Sequence, residues 1–157
     1  MNILIVDDHA VVREGLKLML KRAFPGASFG EATDAVTTLE ALRTHGWQVV
    51  LLDLNLQGVL RIDLISEIKR LAPAVAILVL SMHAEAEYGV PALVAGAQGF
   101  LNKEADPAEM VKAVQVVASG KRFASAELTD QLLTQLAAPK RDRAEGPQLS
   151  ERERTVM

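Results

Sequence analysis

The sequence predicts an α/β fold with a doubly wound parallel sheet, and three observations support that prediction. Apolar runs alternate with helix-period segments five times within about the first 120 residues. Three of the runs, residues 3–6, 49–52 and 76–80, are continuously apolar and end in a polar residue, which is typical of parallel strands that are buried on both faces. Half of the residues are apolar and 24% are charged, so the chain can fill a core. Alternation of this kind places helices on both faces of the sheet through right-handed crossovers.

Composition narrows the class of protein. A net charge of −3 argues against strong nucleic-acid binding by the chain as it stands. The absence of Cys excludes disulfides and thiol catalysis and fits a reducing compartment. The N-terminus lacks the basic segment of a signal peptide, and no apolar run approaches the roughly 20 residues that a membrane helix needs. We therefore expect a cytoplasmic protein with no membrane partner.

The first two strand–helix units are marked by their ends. Residues 3–6 form an apolar run that predicts a buried strand, and the helix after it stops at Pro25. Residues 27–32 predict a weaker strand. Asp34 is placed to cap a second helix, which ends near Gly46.

The third apolar run, residues 49–52, predicts the central strand of the sheet. It ends in Asp53, whose carboxylate cannot lie deep in a core as an unpaired charge. Asp53 should therefore emerge at the C-terminal end of the strand, where open α/β sheets build their sites. A third helix follows and ends at Pro73.

The fourth strand, 76–80, is closed by Ser81, and residues 99–103 predict a short fifth strand. A helix is expected between them, within 85–95, but Pro91 would cost a helix interior about 3 kcal/mol. The helix should therefore either start late, with Pro91 in its first turn, or kink there.

The segment after the fifth strand predicts two more helices. Asp106, Pro107 and Glu109 combine a cap, a first-turn proline and a capping-box acid, and that helix ends at Gly120. A sixth helix should begin at the Ser125 cap. Its apolar stripe, which could serve a dimer or pack on the parent domain, consists of Leu128, Leu132 and Leu136.

Polar side chains at the ends of four strands form the candidate site. In the flavodoxin-like strand order 2-1-3-4-5, these ends share one edge, and the first and third strands flank the switch point. Three carboxylates in one crevice repel each other unless a hard cation lies among them, and oxygen ligands suit Mg²⁺ or Mn²⁺. The converging residues are Asp7, Asp8, Asp53, Ser81 and Lys103.

This set of side chains suits phosphoryl transfer. A metal-held Asp53 carboxylate can attack a phosphorus atom. Lys103 supplies a positive charge for one phosphoryl oxygen, and the Ser81 hydroxyl can donate a hydrogen bond to another. The residues therefore predict an acyl-phosphate site with Asp53 as the nucleophile.

The same motifs resemble the receiver domain of two-component response regulators. The resemblance covers residues 1–120 and rests on Asp7-Asp8, the run into Asp53, Leu80-Ser81 and the stretch 96–103. The last stretch, with Asp106-Pro107 behind it, is similar to the NarL/FixJ subfamily. The expected divisions are a receiver domain at 1–120, an additional helix at 121–138, a linker at 139–148, and at 149–157 the start of a truncated domain that resembles the LuxR-type helix-turn-helix.

The resemblance implies a function. A sensor histidine kinase or a small acyl phosphate would phosphorylate Asp53, and the phosphoprotein would dimerise and regulate transcription through a DNA-binding domain that this chain only begins. Such a domain is not an enzyme, although it assists its own phosphotransfer and dephosphorylation. Mg²⁺, with Mn²⁺ as a substitute, would be held by Asp7, Asp8, Asp53 and the backbone carbonyl of Asn55. Ser81, Lys103 and Phe100 would bind the phosphoryl group and switch, while Asn55 and His83 would tune its lifetime.

Departures from the family pattern keep two other functions open. Gln57 stands where Pro is usual and Arg61 where Gly is usual, so the loop after Asp53 is expected to take another path or to present Arg61 near the site. A degenerate receiver would act as a phosphorylation-independent protein-interaction module. A hydrolase with an aspartyl-phosphate intermediate is a third function, but such enzymes usually carry Asp-x-Asp where this chain has Asp53-Leu54-Asn55.

Each residue also has a plainer interpretation. Asp7 could cap the first helix without binding a metal, and Lys103 could be a solvated surface lysine. Phe100 could be ordinary core. The three histidines are far apart in sequence, and we interpret them as surface residues rather than ligands.

Overall fold

The computed structural model describes residues 1–82 and 85–137. The chain divides into two compact units, Met1–Ala124 and Ser125–Met157. Among the described residues, all strands lie in the first unit. The elements in chain order are β1 (Asn2–Val6), α1 (Ala10–Ala23), β2 (Ser28–Ala32), α2 (Ala35–Thr44), β3 (Val49–Asp53), β4 (Asn55–Leu56), β5 (Val59–Leu60), α3 (Ile62–Leu71), β6 (Ala76–Ser81), α4 (Glu85–Ala95), β7 (Gly99–Asn102), α5 (Pro107–Ala118) and α6 (Ala126–Ala137).

The main sheet confirms the predicted fold class and strand order. Its five strands run parallel in the order β2-β1-β3-β6-β7, which is the flavodoxin-like order once the short strands β4 and β5 are set aside. Val6 pairs with Leu52, so the residues that follow them at the strand ends lie side by side. This register brings the polar residues of β1 and β3 to one edge of the sheet.

The core lies on both faces of the sheet. Every residue of β3 and β6 is buried, as their continuous apolar sequence predicts. One face packs against α1 and α5, and its fully buried residues include Ile5, Leu20, Leu51 and Val114. The other face is covered by α2, α3 and α4, with α3 against both of its neighbours. Each fully buried Leu or Ile contributes about 1.5–3 kcal/mol.

Helix starts follow the local chemistry of the sequence. The Asp34 side chain accepts a hydrogen bond from the Thr37 N–H at 2.8 Å and closes a capping box at the start of α2. The Asp106 carboxylate accepts from the Glu109 N–H at 2.8 Å, with Pro107 as the first residue of α5. Both caps confirm the sequence prediction.

The start of helix α4 excludes one of the two alternatives stated for Pro91. The helix begins at Glu85, so Pro91 lies in its interior and not in its first turn. The prediction that the helix starts late was therefore wrong.

A small hairpin follows β3 that the sequence interpretation did not include. In β4 and β5, Asn55 pairs with Leu60 and Leu56 with Val59. Gln57 and Gly58 form the turn with φ of 52° and 80°, and positive φ at both central residues is what a type I′ turn requires. The loop after Asp53 therefore follows this hairpin as far as Leu60.

The second unit is described only through α6. The Ser125 hydroxyl accepts from the Leu128 N–H at 2.9 Å, which confirms the predicted cap. Leu128 and Leu132 are buried, whereas Leu136 is exposed and does not belong to the buried stripe. The predicted linker at 139–148 and the helix-turn-helix start at 149–157 lie outside the described residues. Within the described part of the chain, no helix combines the length and apolar character needed to span a membrane.

Candidate functional site

Three charged side chains meet at the C-terminal edge of the sheet. The Lys103 Nζ lies 2.8 Å from Asp7 Oδ2 and 3.1 Å from Asp53 Oδ2. Asp7 directly follows β1, Asp53 ends β3, and Lys103 directly follows β7, so the parallel register places them together. The convergence predicted from strand ends is present in the structure for these three residues.

Burial makes these charges interact strongly. Asp7 and Asp53 are 1% and 4% exposed, and the Lys103 side chain is 14% exposed. Lys103 is therefore not the solvated surface lysine of the plainer interpretation. A cation bridging two buried carboxylates leaves the cluster with a net negative charge.

The pKa values respond to this environment. Burial raises the pKa of Asp53 above its ordinary value, although the Asn55 N–H and the Lys103 charge act in the opposite direction. Burial would lower the pKa of Lys103, but the neighbouring carboxylates of Asp7 and Asp53 outweigh it and raise that pKa. Lys103 is thus held in its charged form between the two acids.

Asp8 lies at the rim of the same cluster. Its Oδ2 accepts a hydrogen bond from the Gln57 N–H at 2.9 Å, which links the β4–β5 hairpin to the end of β1. A proline at position 57, usual in the resembling family, could not donate this bond. The departure at Gln57 therefore has a structural consequence for Asp8.

His9 is one of the residues beside the site that the sequence interpretation missed. Its side chain is 66% exposed, as a surface residue should be, but its Nδ1 lies 3.2 Å from Asp7 Oδ1 and 3.2 Å from Asp8 Oδ1. The His9 N–H also donates to Asp7 Oδ1 at 2.8 Å. Asp7 is not the N-cap of α1, since His9 holds that position. The adjacency Asp-Asp-His was the available signal.

The donor set fits a hard divalent cation. One ligand atom from each of Asp7, Asp8, His9 and Asp53 lies within 4.8 Å of the others. Asp7 Oδ2 and Asp8 Oδ1 are buried and accept no well-formed hydrogen bond from the described residues. The Lys103 Nζ lies 2.8 Å from the first of these oxygens, and the His9 Nδ1 lies 3.2 Å from the second. Clustered carboxylate oxygens with unused acceptor capacity are what Mg²⁺ prefers.

The remaining predicted site residues occupy different places. The Asn55 N–H donates to Asp53 Oδ1 at 3.1 Å. Ser81 is buried at the end of β6, and its backbone oxygen accepts from the Lys103 N–H at 3.0 Å. Phe100 is buried on β7 beside Val79. His83 lies outside the described residues.

Arg61 does not supply a charge to the acids of the site in this structure. Its guanidinium donates two hydrogen bonds to Asp63, at 3.1 and 3.0 Å, and lies 3.9 Å from Glu67 Oε1. The alternative expectation, that Arg61 is presented to the site, is therefore not supported by its contacts.

A parallel α/β sheet with an acid–lysine cluster at its switch point defines a class of protein, the receiver domains of signalling proteins. Comparison with known proteins agrees with this class. The family described as Response regulator receiver domain matches residues 3–115. The chain belongs to that family, the response regulators of two-component systems, as the sequence resemblance predicted.

Relatives cover nearly the whole chain. Response regulator UvrY of Escherichia coli (strain K12) is 32% identical over 156 residues, which are 99% of this chain and 72% of the relative. Response regulator GacA of Pseudomonas viridiflava is 30% identical and covers 97% of this chain and 71% of its own.

Solved structures show the same fold. A two-component response regulator of the LuxR family from Aurantimonas sp. SI85-9A1 matches with a TM-score of 0.75 and 32% identity, over 87% of this chain and 98% of that one. The isolated receiver domain of RcsB from Salmonella enterica serovar Typhimurium, solved with the phosphomimetic BeF₃⁻, has a TM-score of 0.73 and 28% identity, over 84% of this chain and 98% of its own.

Proposed function

We propose that this chain is a phosphorylation-controlled receiver domain that accepts a phosphoryl group on Asp53. The observation that supports this proposal is the cluster in which Lys103 bridges Asp7 and Asp53 at the C-terminal edge of the sheet. Asp53 is buried at the end of the central strand, so its carboxylate has a fixed direction and few competing water contacts. Positioning and electrostatics are the main requirements of phosphoryl transfer.

In the proposed reaction, one Asp53 oxygen forms a bond to phosphorus. The bond from phosphorus to its donor breaks, and the electron pair of that bond leaves with the donor, either a phosphohistidine of a sensor histidine kinase or a small acyl phosphate. Asp7, Asp8, Asp53 and the Asn55 backbone carbonyl would hold Mg²⁺. The ion supplies charge screening for the incoming group when it is bound.

The other residues act on the phosphorylated state. Lys103 exchanges its contact with the Asp53 carboxylate for one with a phosphoryl oxygen, and the Ser81 hydroxyl donates to another. Phe100, which is already buried on β7, changes its packing when Ser81 moves towards the phosphoryl group, and so carries the switch to the surface. Asn55 and His83 tune how long the phosphoryl group persists.

The output we propose is phosphorylation-linked homodimerisation and regulation of transcription in the cytoplasm. A relative from Silicibacter pomeroyi is described as a LuxR family DNA-binding response regulator. Another structure is described as two RcsB dimers bound to two parallel DNAs. By analogy with these relatives, DNA would be contacted by a LuxR-type domain and not by the receiver.

Phosphorylation is tested directly by intact mass. Incubation with acetyl phosphate and Mg²⁺ should add one phosphoryl group to the wild type and none to Asp53→Asn. Asp130→Asn, which changes an exposed acid on α6, is the matched control and should be labelled normally. Labelling of Asp53→Asn at the wild-type level would refute the assignment.

One structural observation favours a second candidate. The hydrogen bond from the Gln57 N–H occupies one oxygen of Asp8, a proposed metal ligand. A degenerate receiver that acts through protein contacts needs no metal, so this bond would cost it nothing. In that case the wild type would gain no mass. Repeated turnover of a phosphate ester would instead indicate a hydrolase.

A further inference from the structure

The Arg13 side chain joins the end of β1 to β2. Arg13 lies in the first half of α1, and its side chain is 15% exposed. Its Nη1 donates to the backbone oxygen of Asp7 at 2.7 Å, and its Nε donates to Glu31 Oε1 at 2.7 Å. A guanidinium can satisfy both acceptors at once because its donors form a rigid planar fork. Arg13 itself contacts no phosphoryl-binding side chain through these bonds.

These contacts fix the backbone that carries the acids. The oxygen that Arg13 binds belongs to the peptide group between Asp7 and Asp8. The Asp7 N–H donates to the Ala32 oxygen at 3.1 Å, and the Asp7 carboxylate accepts from the His9 N–H at 2.8 Å. With Arg13 on the remaining acceptor, both sides of Asp7 are held, and the direction in which Asp8 leaves the chain is set.

We propose that Arg13 is a positioning residue for the divalent cation, which it acts on through the peptide group of Asp7 and Asp8. This inference rests on the proposed function, since it concerns the same cation site. Partners behind the ligands of a metal orient those ligands and change affinity by about 10–100-fold when they are removed. Glu31 holds Arg13 in the required direction from the neighbouring strand.

The proposal predicts an effect opposite in sign to simple electrostatics. A guanidinium near the site repels a divalent cation, so its removal by charge alone would strengthen Mg²⁺ binding. Loss of positioning weakens it. Lys17 provides the matched control, because it carries the same charge and its Nζ also binds Glu31, at 2.7 Å from Oε2. Its other ion pair is with Glu14 and not with the backbone of Asp7.

The experiment is an NMR titration of the 157-residue chain with Mg²⁺, followed through backbone amide shifts. Arg13→Met should raise the Mg²⁺ dissociation constant about 10-fold and shift the Asp8 and His9 amides. Lys17→Met should stay within about 2-fold of the wild type, since screened surface charges have small effects. Equal or tighter binding by Arg13→Met would overturn the proposal.

Two further variants keep the test decisive. If Arg13→Met does not fold, Arg13→Lys replaces it, because lysine keeps the charge but lacks the planar fork of donors. We expect Arg13→Lys to bind Mg²⁺ about 3-fold more weakly than the wild type. Wild-type affinity would overturn the proposal. Asp8→Asn tests the cation site itself. If Asp8→Asn binds Mg²⁺ like the wild type, the proposed site fails and the role of Arg13 fails with it; if only Asp8→Asn is impaired, the role of Arg13 alone is refuted.

Discussion

At the level of single residues, Lys103 determines the balance of charge in the site. It is the counter-ion of two buried acids, and the structure places its Nζ within 3.1 Å of both. Removing one partner of a buried ion pair leaves an uncompensated charge, which commonly costs about 3–5 kcal/mol. In the proposed reaction the same contact is exchanged when Asp53 becomes an acyl phosphate, so Lys103 would link stability to the phosphorylated state.

Lys103→Ala should therefore destabilise the Mg²⁺-free protein by about 3–5 kcal/mol, because Asp7 and Asp53 then face each other without a cation. It should also weaken the phosphorylated state while Mg²⁺ binding is retained. Urea unfolding in EDTA measures the first effect, and the decay of the phosphorylated mass measures the second. Lys112→Ala, at an exposed position on α5, serves as the control. An unchanged phosphoryl lifetime in Lys103→Ala would contradict its role.

Single residues also show where sequence reasoning stops. Asp53 and Lys103 were predictable because the ends of parallel strands share an edge, so their sequence positions determine their spatial proximity. His9 and Arg13 were not, since their roles depend on a local turn and on how a long side chain crosses to another element. In the sequence alone, both residues look like solvated positions on the exposed face of a helix.

At the level of elements, α4 is the clearest departure from what propensity favours. Pro91 is the seventh residue of a helix that begins at Glu85. It has no N–H for the carbonyl four residues earlier, that of Glu87, and its ring crowds that group. The buried Ala92 and Leu93 anchor this part of the helix in the core. Tertiary burial therefore overrides a local preference that the sequence expresses clearly.

Pro91→Ala should raise the free energy of unfolding by about 1–3 kcal/mol, because it restores the hydrogen bond and removes the clash. Urea unfolding provides the measurement. Pro107→Ala is the matched control, since a proline in the first position of α5 loses no helical hydrogen bond and its replacement should change little. A gain from Pro91→Ala no larger than that from Pro107→Ala would show that α4 is not strained there.

The contact between α1 and β2 gives a pH prediction. Hydrogen bonds from Lys17 and then Arg13 hold the pKa of Glu31 below its ordinary value of 4.5. Its stabilising contribution is therefore complete above that value and is lost as the pH falls towards the pKa of the folded state. Glu31→Gln should destabilise by about 0.5–1 kcal/mol at neutral pH, given partial solvent screening, and by less near pH 3. A deficit that stays constant from neutral pH to pH 3 would contradict this explanation.

At the level of the whole molecule, the strand order followed from alternation and strand-end polarity, because few topologies satisfy short right-handed crossovers. The β4–β5 hairpin could not be predicted in this way, since two-residue strands carry too little periodicity to be distinguished from a turn. The exposed Leu136 on α6 shows a related limit. An apolar stripe indicates a helix face but not how far that face is covered.

The proposed cation should act on the stability of the entire domain, because its ligands come from the ends of β1 and β3. A ligand that binds only the folded state stabilises it by about 1.4 kcal/mol at ten times its dissociation constant. For a domain of this size, the melting temperature should rise by about 3–5 °C on adding that much Mg²⁺ and fall again with EDTA. Asp8→Asn should lose most of the rise, whereas Asp63→Asn, an exposed acid on α3, should keep it. Equal shifts in the two variants would mean that Mg²⁺ acts as general ionic strength and not through this cluster.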